Sequence, residues 1–214
     1  MGRSYGQFCG LARAAELVGE RWTLLILRDL SVGPARFSEL KSGLTGIAAT
    51  MLTARLRDLE EAGLISKQET RVATTYELSE SGRTVLPALA ALSLWGASTM
   101  AAPRSGEVVT DRSLAAMLAT TRTSARVSPF VVELRAPGAA AHAKVTRTGV
   151  EARPGRAENP GIIVSGQGLR ALLADPSQAD HLVAGGHLTT EGDSDLLTRF
   201  AAAFHAPFAA KTHA

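Results

Sequence analysis

Apolar residues recur at three- and four-residue spacing through residues 12–99, the period of helices with one buried face, and the rhythm changes after residue 106. Residues 12–18 predict a short helix. Residues 21–30 predict a second, with Trp22, Leu25, Ile26 and Leu30 on a broad apolar face, ended by Gly33-Pro34. Residues 37–41 make a third, in which Phe37 and Leu40 share a core-facing side. After a turn at Leu44-Thr45-Gly46, residues 48–62 form a fourth helix. Its inward stripe is Leu52, Leu56 and Leu59, its C-terminal cap is Gly63, and its opposite face holds Ala49, Thr50, Thr53 and Arg57, with Arg55 on the flank. Leu64-Ile65 opens a strand and residues 75–78 close another, with a polar tip at residues 69–74 between them. A long helix over residues 81–99 then carries Val85, Leu86, Leu89, Leu92 and Trp95 on a stripe surplus to this unit, for which a second copy of the chain is the economical partner.

The run Ala101-Ala102-Pro103-Arg104-Ser105-Gly106 breaks the helical pattern, so the domains are read as 1–103 and 104–214. Beyond it, residues 113–119 predict a helix, residues 130–135 an alternating strand, residues 143–148 and 149–153 a hairpin, and residues 161–165 a buried strand. Helices follow at residues 169–174 and 195–206, the last carrying Leu196, Leu197, Phe200 and Phe204. The fold class is therefore two domains, a mainly α winged helix-turn-helix followed by an α+β sheet-and-helix domain. A sheet covered on one face by Leu- and Phe-rich helices suits an apolar small molecule. Phe130, Val132, Leu172, Leu182, Phe200 and Phe204 are the candidate lining residues, and each reads as plain core before it reads as ligand contact.

In a helix pair followed by a hairpin, the second helix enters the major groove and the hairpin lies along the adjacent backbone or minor groove. That makes residues 48–57 the reading surface. Arg57 and Arg55 would reach phosphate or a guanine edge, Thr50 and Thr53 would donate to phosphate or touch a thymine methyl, and Ala49 would let the helix sit deep. Arg36 and Ser38 at the start of the first helix of the pair, Lys67 near the hairpin base and Arg71 at its tip complete the candidate DNA contacts. Taken singly, Arg55 or Arg57 is more often a solvated surface charge.

The run Cys9 to Val18, Gly19-Glu20-Arg21-Trp22-Thr23-Leu24-Leu25-Ile26-Leu27, then Arg36-Phe37-Ser38-Glu39-Leu40, Gly46-Ile47, Leu52-Thr53, Arg55-Leu56, Leu59-Glu60-Glu61 and Gly63-Leu64 resembles the HxlR family of winged-helix regulators. The resemblance covers roughly the first hundred residues. It implies a dimer, made by the first and last helices of this unit, on a near-palindromic double-stranded DNA operator. The sequence departs from many members at Ala48-Ala49-Thr50, where polar or basic residues are frequent. Several members carry a cysteine at the position of Cys9 and use it to sense quinones or oxidants. Arg3 or Arg13 would supply the positive field that such a thiol needs, and the alternative is a small buried hydrophobe at the dimer seam. Residues 157–174 and the run Ala184-Gly185-Gly186-His187-Leu188-Thr189-Thr190-Glu191-Gly192-Asp193 resemble the sterol-carrier-protein-like domain, over about residues 110–206. That resemblance implies a cavity between sheet and helices for a lipid, sterol or similar flat apolar compound.

Catalytic patterns are missing, so no enzyme activity and no cofactor are expected. Ser165-Gly166-Gln167-Gly168 lacks the third glycine and the Lys-Ser/Thr of a phosphate loop, and no Gly-x-Ser-x-Gly elbow occurs. His142, His181, His187 and His205 stand at no metal-ligand spacing, and Asp193 reads as a helix cap. Cys9, the single cysteine of 214 residues, fits a reducing cytoplasm, and neither a secretory nor a membrane segment is read. The net charge of +3 is spread evenly, with 11 Lys and Arg against 10 Asp and Glu in residues 1–103. Any DNA attraction therefore has to come from a few locally placed side chains. The leading expectation is a cytoplasmic, homodimeric DNA-binding regulator modulated by an apolar effector. The alternatives are a thiol-based sensor acting through Cys9 and a lipid carrier that does not bind DNA.

Overall fold

The first helix-rich stretch folds around a single cluster of aliphatic side chains, to which α2, α3, α4, α6 and all three strands contribute. The computed structural model describes residues 4–209, so Arg3 lies outside the described residues. The elements of the first unit are α1 (Gly10–Val18), α2 (Thr23–Leu30), β1 (Ala35–Arg36), α3 (Phe37–Gly43), α4 (Ala49–Glu61), β2 (Ile65–Glu69), β3 (Thr74–Leu78), α5 (Glu80–Arg83) and α6 (Leu86–Ala97). Ile26, Leu27 and Leu30 of α2, Leu40 of α3, Leu52, Leu56 and Leu59 of α4, Ile65 and Leu78 of the strands and Leu89 of α6 form the core. Each such side chain removed from water stabilises the fold by ~1.5–3 kcal/mol before entropy is counted.

Two helices differ from the sequence reading. Trp22 has φ +80°, a left-handed conformation unusual for a bulky residue, so α2 starts two residues later than the spacing predicts, at Thr23. The buried residues of α2 are accordingly Thr23, Ile26, Leu27, Asp29 and Leu30, and Leu25 turns outward. The long helix expected over residues 81–99 is two helices, α5 and α6. Pro87 cannot donate the backbone hydrogen bond that a continuous helix needs at that point. Ser79 caps α5, its hydroxyl accepting from Gly82 N–H at 2.9 Å and donating to Gly63 O at 2.6 Å. The strand β1, which the sequence reading lacks, pairs antiparallel with β3 through Ala35 opposite Tyr76 and Arg36 opposite Thr75. The hairpin thereby becomes a three-stranded sheet of order β1-β3-β2.

Contacts divide the chain between Leu89 and Ala90, inside α6, earlier than the composition break at Pro103. The second unit contains α7 (Asp111–Thr120), β4 (Phe130–Ala136), β5 (Ala139–Val145), β6 (Val150–Pro154), β7 (Ile162–Ser165), α8 (Leu169–Ala174), α9 (Ala179–Ala184), β8 (Thr189–Gly192) and α10 (Asp195–Ala203). Its sheet runs β6-β5-β4-β7-β8, with β4 and β7 parallel and the other pairs antiparallel. The strand read as starting at residue 143 begins at Ala139, because β4 and β5 join through a tight turn at Pro137-Gly138, where Gly138 has φ +75°. Helix α9 is a further element that the sequence reading lacks. Alternation puts Val132, Leu134, Ala141, Ala143, Val145, Ile162 and Val164 on the buried face. The other face carries Glu133, Arg135, His142 and Lys144. Glu133 is buried, accepting from Arg135 Nε at 2.6 Å and from Ala157 N–H at 2.8 Å, which ties the loop after β6 to the sheet. Among the described residues, no helix is long and apolar enough to cross a membrane.

Gly82 is buried, and a Cβ there would stand 1.9 Å from Leu64 O. Gly82→Ala is expected to lower the unfolding free energy by ~1–3 kcal/mol, read as a fall in the urea midpoint. Gly96→Ala, at a helical position with open space around it, should not lower it.

Candidate nucleic-acid interface

Burial of Leu52, Leu56 and Leu59 dictates which side of α4 faces water. Ala49, Thr50, Thr53 and Arg57 are all exposed and lie on one face. Thr53 donates its hydroxyl to Ala49 O at 3.0 Å, and Arg57 makes only a long contact of 3.7 Å to the equally exposed Glu61. Such a pair holds a side chain weakly, so Arg57 can turn to another anion. The cap residue Ala48 makes no side-chain hydrogen bond, so the first-turn N–H groups of α4 face outward unmet by a cap. This is the physical content of the alanines at that position: they leave the positive end of the helix open.

Arg55 is placed differently. It is half-buried and engaged within the chain, with Nη1 2.9 Å from Asp58 Oδ2 and Nη2 3.6 Å from Glu20 Oε2. Sequence reasoning set it beside Arg57 among the DNA contacts. The partner that holds it, Glu20, lies some thirty-five residues away, and no local pattern signals the pairing.

On the sheet, the register groups the remaining candidates. Arg36, Thr75 and Gln68 form one cross-strand row, and Ala35, Tyr76 and Lys67 form the next, on the opposite face. Lys67 therefore continues the side of the sheet that buries Ile65 and Leu78. Its ammonium lies 2.5 Å from Glu69 Oε1, a hydrogen bond that pushes the Lys67 pKa up and the Glu69 pKa down. Arg71 is exposed at the hairpin tip, where Thr70 closes the turn by bonding Ala73 through both backbone and side chain. Ser38 is exposed on the first turn of α3. Arg36 stands one residue before that helix, its backbone N–H donating to Glu39 Oε2 at 2.6 Å.

Ahead of these elements, α1 has no buried residue, and Phe8, Leu11 and Leu17 are exposed. Tyr5 N–H and the Ser4 hydroxyl both donate to Glu16, folding the N-terminal arm along α1 and holding the Glu16 carboxyl below its ordinary pKa, chiefly through the Tyr5 bond. Cys9 is exposed at the start of α1, not buried in this chain. It forms no capping hydrogen bond of ordinary geometry. The Ala12 and then the Leu11 N–H nonetheless favour its thiolate and hold its pKa below the usual thiol value.

In the second unit, Phe130, Val132, Leu172, Leu182, Phe200 and Phe204 are all buried, and the rings of Phe200 and Phe204 stack tilted at 4.9 Å. An open recess of about 260 Å³ lies between α9, β8 and α10, lined by Asp180, Val183, Thr190, Ser194 and Leu197 among others; none of the six lines it. Asp193 accepts from Asp195 N–H at 3.0 Å from one residue ahead of Ser194, the N-cap of α10, whose own side chain makes no cap hydrogen bond. Among the described residues, no three His, Cys, Asp or Glu side chains gather as a metal site.

Residues 17–103 match the family model of the HxlR-like helix-turn-helix. An uncharacterized HTH-type transcriptional regulator of Mycobacterium bovis is 44% identical over 89 residues, which are 40% of this chain and 56% of that protein. The chain thus spans little more than half the length of that relative. One from Methanothermobacter thermautotrophicus is 38% identical over 91 residues, 41% of this chain and 70% of its own. Among solved structures, the reduced form of the transcriptional regulator YodB from B. subtilis shares 29% identity, with 42% of this chain and 92% of that chain covered and a TM-score of 0.38. A stretch from the end of α1 through α6 that carries the buried α4 stripe, the open N-terminus of α4 and the three-stranded sheet is the matched region, and through it the chain belongs to the HxlR-like helix-turn-helix family.

Proposed function

We propose that the chain is a DNA-binding transcriptional regulator that acts as a homodimer and takes a small apolar effector in its second unit. The observation that carries the reading is the exposed stripe Ala49, Thr50, Thr53 and Arg57 on a helix whose other side is locked into the core, beside a sheet with Arg71 at its tip. α4 would enter the major groove by its open N-terminal end, with Arg71 on the neighbouring backbone. Dimerisation is supported by α1, which packs on the core only through the partly buried Val18 and exposes Leu11 and Leu17, and by Trp95, 71% exposed on α6. Large aromatic and aliphatic side chains left open on two helices are the ordinary material of an interface core. The effector reading rests on the helix-covered sheet and on the recess beside Leu197, which pairs an apolar wall with Asp180, Thr190 and Ser194.

The test is binding of the purified protein to duplex DNA from upstream of its own gene across a salt series, with and without a co-purified apolar extract. A negative log–log salt slope is expected, and Arg57→Gln or Arg71→Gln should each reduce its size by about 0.9, the signature of one lost phosphate contact. The extract should shift the affinity of the unmodified protein. Failure to bind at any salt would return the chain to the carrier reading.

A second reading is favoured by the exposure of Cys9 and its lowered pKa. The thiolate would add to a quinone ring carbon: a C–S bond forms, and that carbon's hydrogen with one solvent proton completes the two hydroxyls of a hydroquinone thioether, without a separate oxidant. Benzoquinone is then expected to raise the mass of the protein by one adduct and to change its DNA affinity, and Cys9→Ser should abolish both effects. An adduct that leaves DNA binding unchanged removes this reading.

A further inference from the structure

The two arginines of α4 cannot serve the same purpose. At ~100° per residue, Arg55 stands roughly 200° around the helix from both Thr53 and Arg57, so with those two facing outward it faces back across the body of the unit. Its environment agrees with that direction. The side chain is 20% exposed, its fork spans Asp58 on the same helix and Glu20 in the loop between α1 and α2, and its Nε is buried without a hydrogen-bond partner. The loop it reaches is a tight corner. A Cβ at Gly19 would meet Ala15 O at 2.4 Å, Trp22 holds its left-handed φ, and the Arg21 guanidinium lies over the Trp22 ring at 5.2 Å from the centroid. Asp58 turns with α4 and holds the guanidinium in place, so the 3.6 Å contact to Glu20 is the link that turning the helix would stretch.

We infer that Arg55 is a positioning residue that pins the reading helix to the α1–α2 corner, setting the angle at which α4 is presented, and that it does not contact DNA. The inference rests on the DNA-binding reading above. In a dimer built on α1, the same pin would fix α4 relative to the two-fold axis. Electrostatics supply a discriminating sign. Glu20→Gln removes a negative charge, and by charge alone it should strengthen binding to a polyanion. Loss of the pin predicts the opposite.

The experiment compares wild type, Arg55→Gln, Glu20→Gln and the double variant, with Arg57→Gln as the phosphate-contact control, on the same duplex from 50 to 200 mM salt. Amide hydrogen exchange of α4 in the free protein is followed in parallel. Arg55→Gln is expected to weaken binding about fivefold and Glu20→Gln about twofold, both with an unchanged salt slope, while Arg57→Gln reduces the slope by about 0.9. The double variant should be no weaker than Arg55→Gln alone, since both remove one shared link. Exchange in α4 should quicken in both single variants. A reduction of the slope by about 0.9 in Arg55→Gln, with Glu20→Gln neutral or tighter, would make Arg55 a phosphate contact and overturn the inference. Unchanged α4 exchange in both variants would overturn it as well. Wild-type protein that binds no DNA while α4 exchange still responds to both substitutions would defeat the DNA-binding reading and leave the pin standing as a structural link.

Discussion

The orientation of α4 depends on three leucines. Leu52, Leu56 and Leu59 are each at most 2% exposed, and a third of a turn about the helix axis would bring them to water at several kcal/mol in total. The outward face of the helix is thus decided by its inward one. Thr50, Thr53 and Arg57 face solvent because the leucine stripe faces the core, and that coupling turns a packing requirement into the exposed face on which the proposed recognition rests. The strands follow from the same core, since Ile65 and Leu78 enter it and set the register that places Arg71 at the tip.

What could be read in the chain follows from periodicity. Long amphipathic segments such as α4, and the alternation of β4, carry their burial in their spacing, and the structure places them within a residue or so of the reading. The failures have local causes. Two residues of β1 are too few to show a period, so the third strand and the placement of Arg36 opposite Thr75 were invisible. The break between α5 and α6 lies at Pro87, and the apolar spacing of Val85, Leu86, Leu89 and Leu92 runs straight across it. Arg55 and Arg57 look equivalent in a linear sequence. Helical phase separates them, and only the fold brings Glu20 to one of the two.

The second unit is harder to read because its sheet is built from small residues. β5 carries Ala139, Ala141 and Ala143 on its buried face, and α7 packs across β5 and β6 there. Bulkier side chains would hold that helix off, yet alanine is a helix former and hides the strand's alternation. Apolar character likewise identified burial without distinguishing a packed interior from a cavity wall. Phe200 and Phe204 fill space against each other, whereas the recess is lined by a mixed set in which Asp180, Thr190 and Ser194 stand beside Leu197, a composition that no hydrophobic pattern selects.

Charge is the scarce resource of the proposed interface, and that scarcity argues for two copies. Lys67 is neutralised by Glu69 and Arg55 is held by carboxylates, which leaves Arg36, Arg57 and Arg71 as the exposed candidate cations of each chain. Three phosphate contacts give a log–log slope near −2.7, so raising salt fourfold would weaken a single copy only about 40-fold, whereas six contacts in a dimer would give about 2,000-fold. A lone copy would therefore have little electrostatic affinity to lose. Two copies would double the charge term and add a second set of threonine contacts at a fixed distance, which turns a weakly charged surface into one that reads spacing. The unburied faces of α1 and α6 would then serve the same end as the arginines, since the apolar contact that joins two chains is what makes so few charges sufficient.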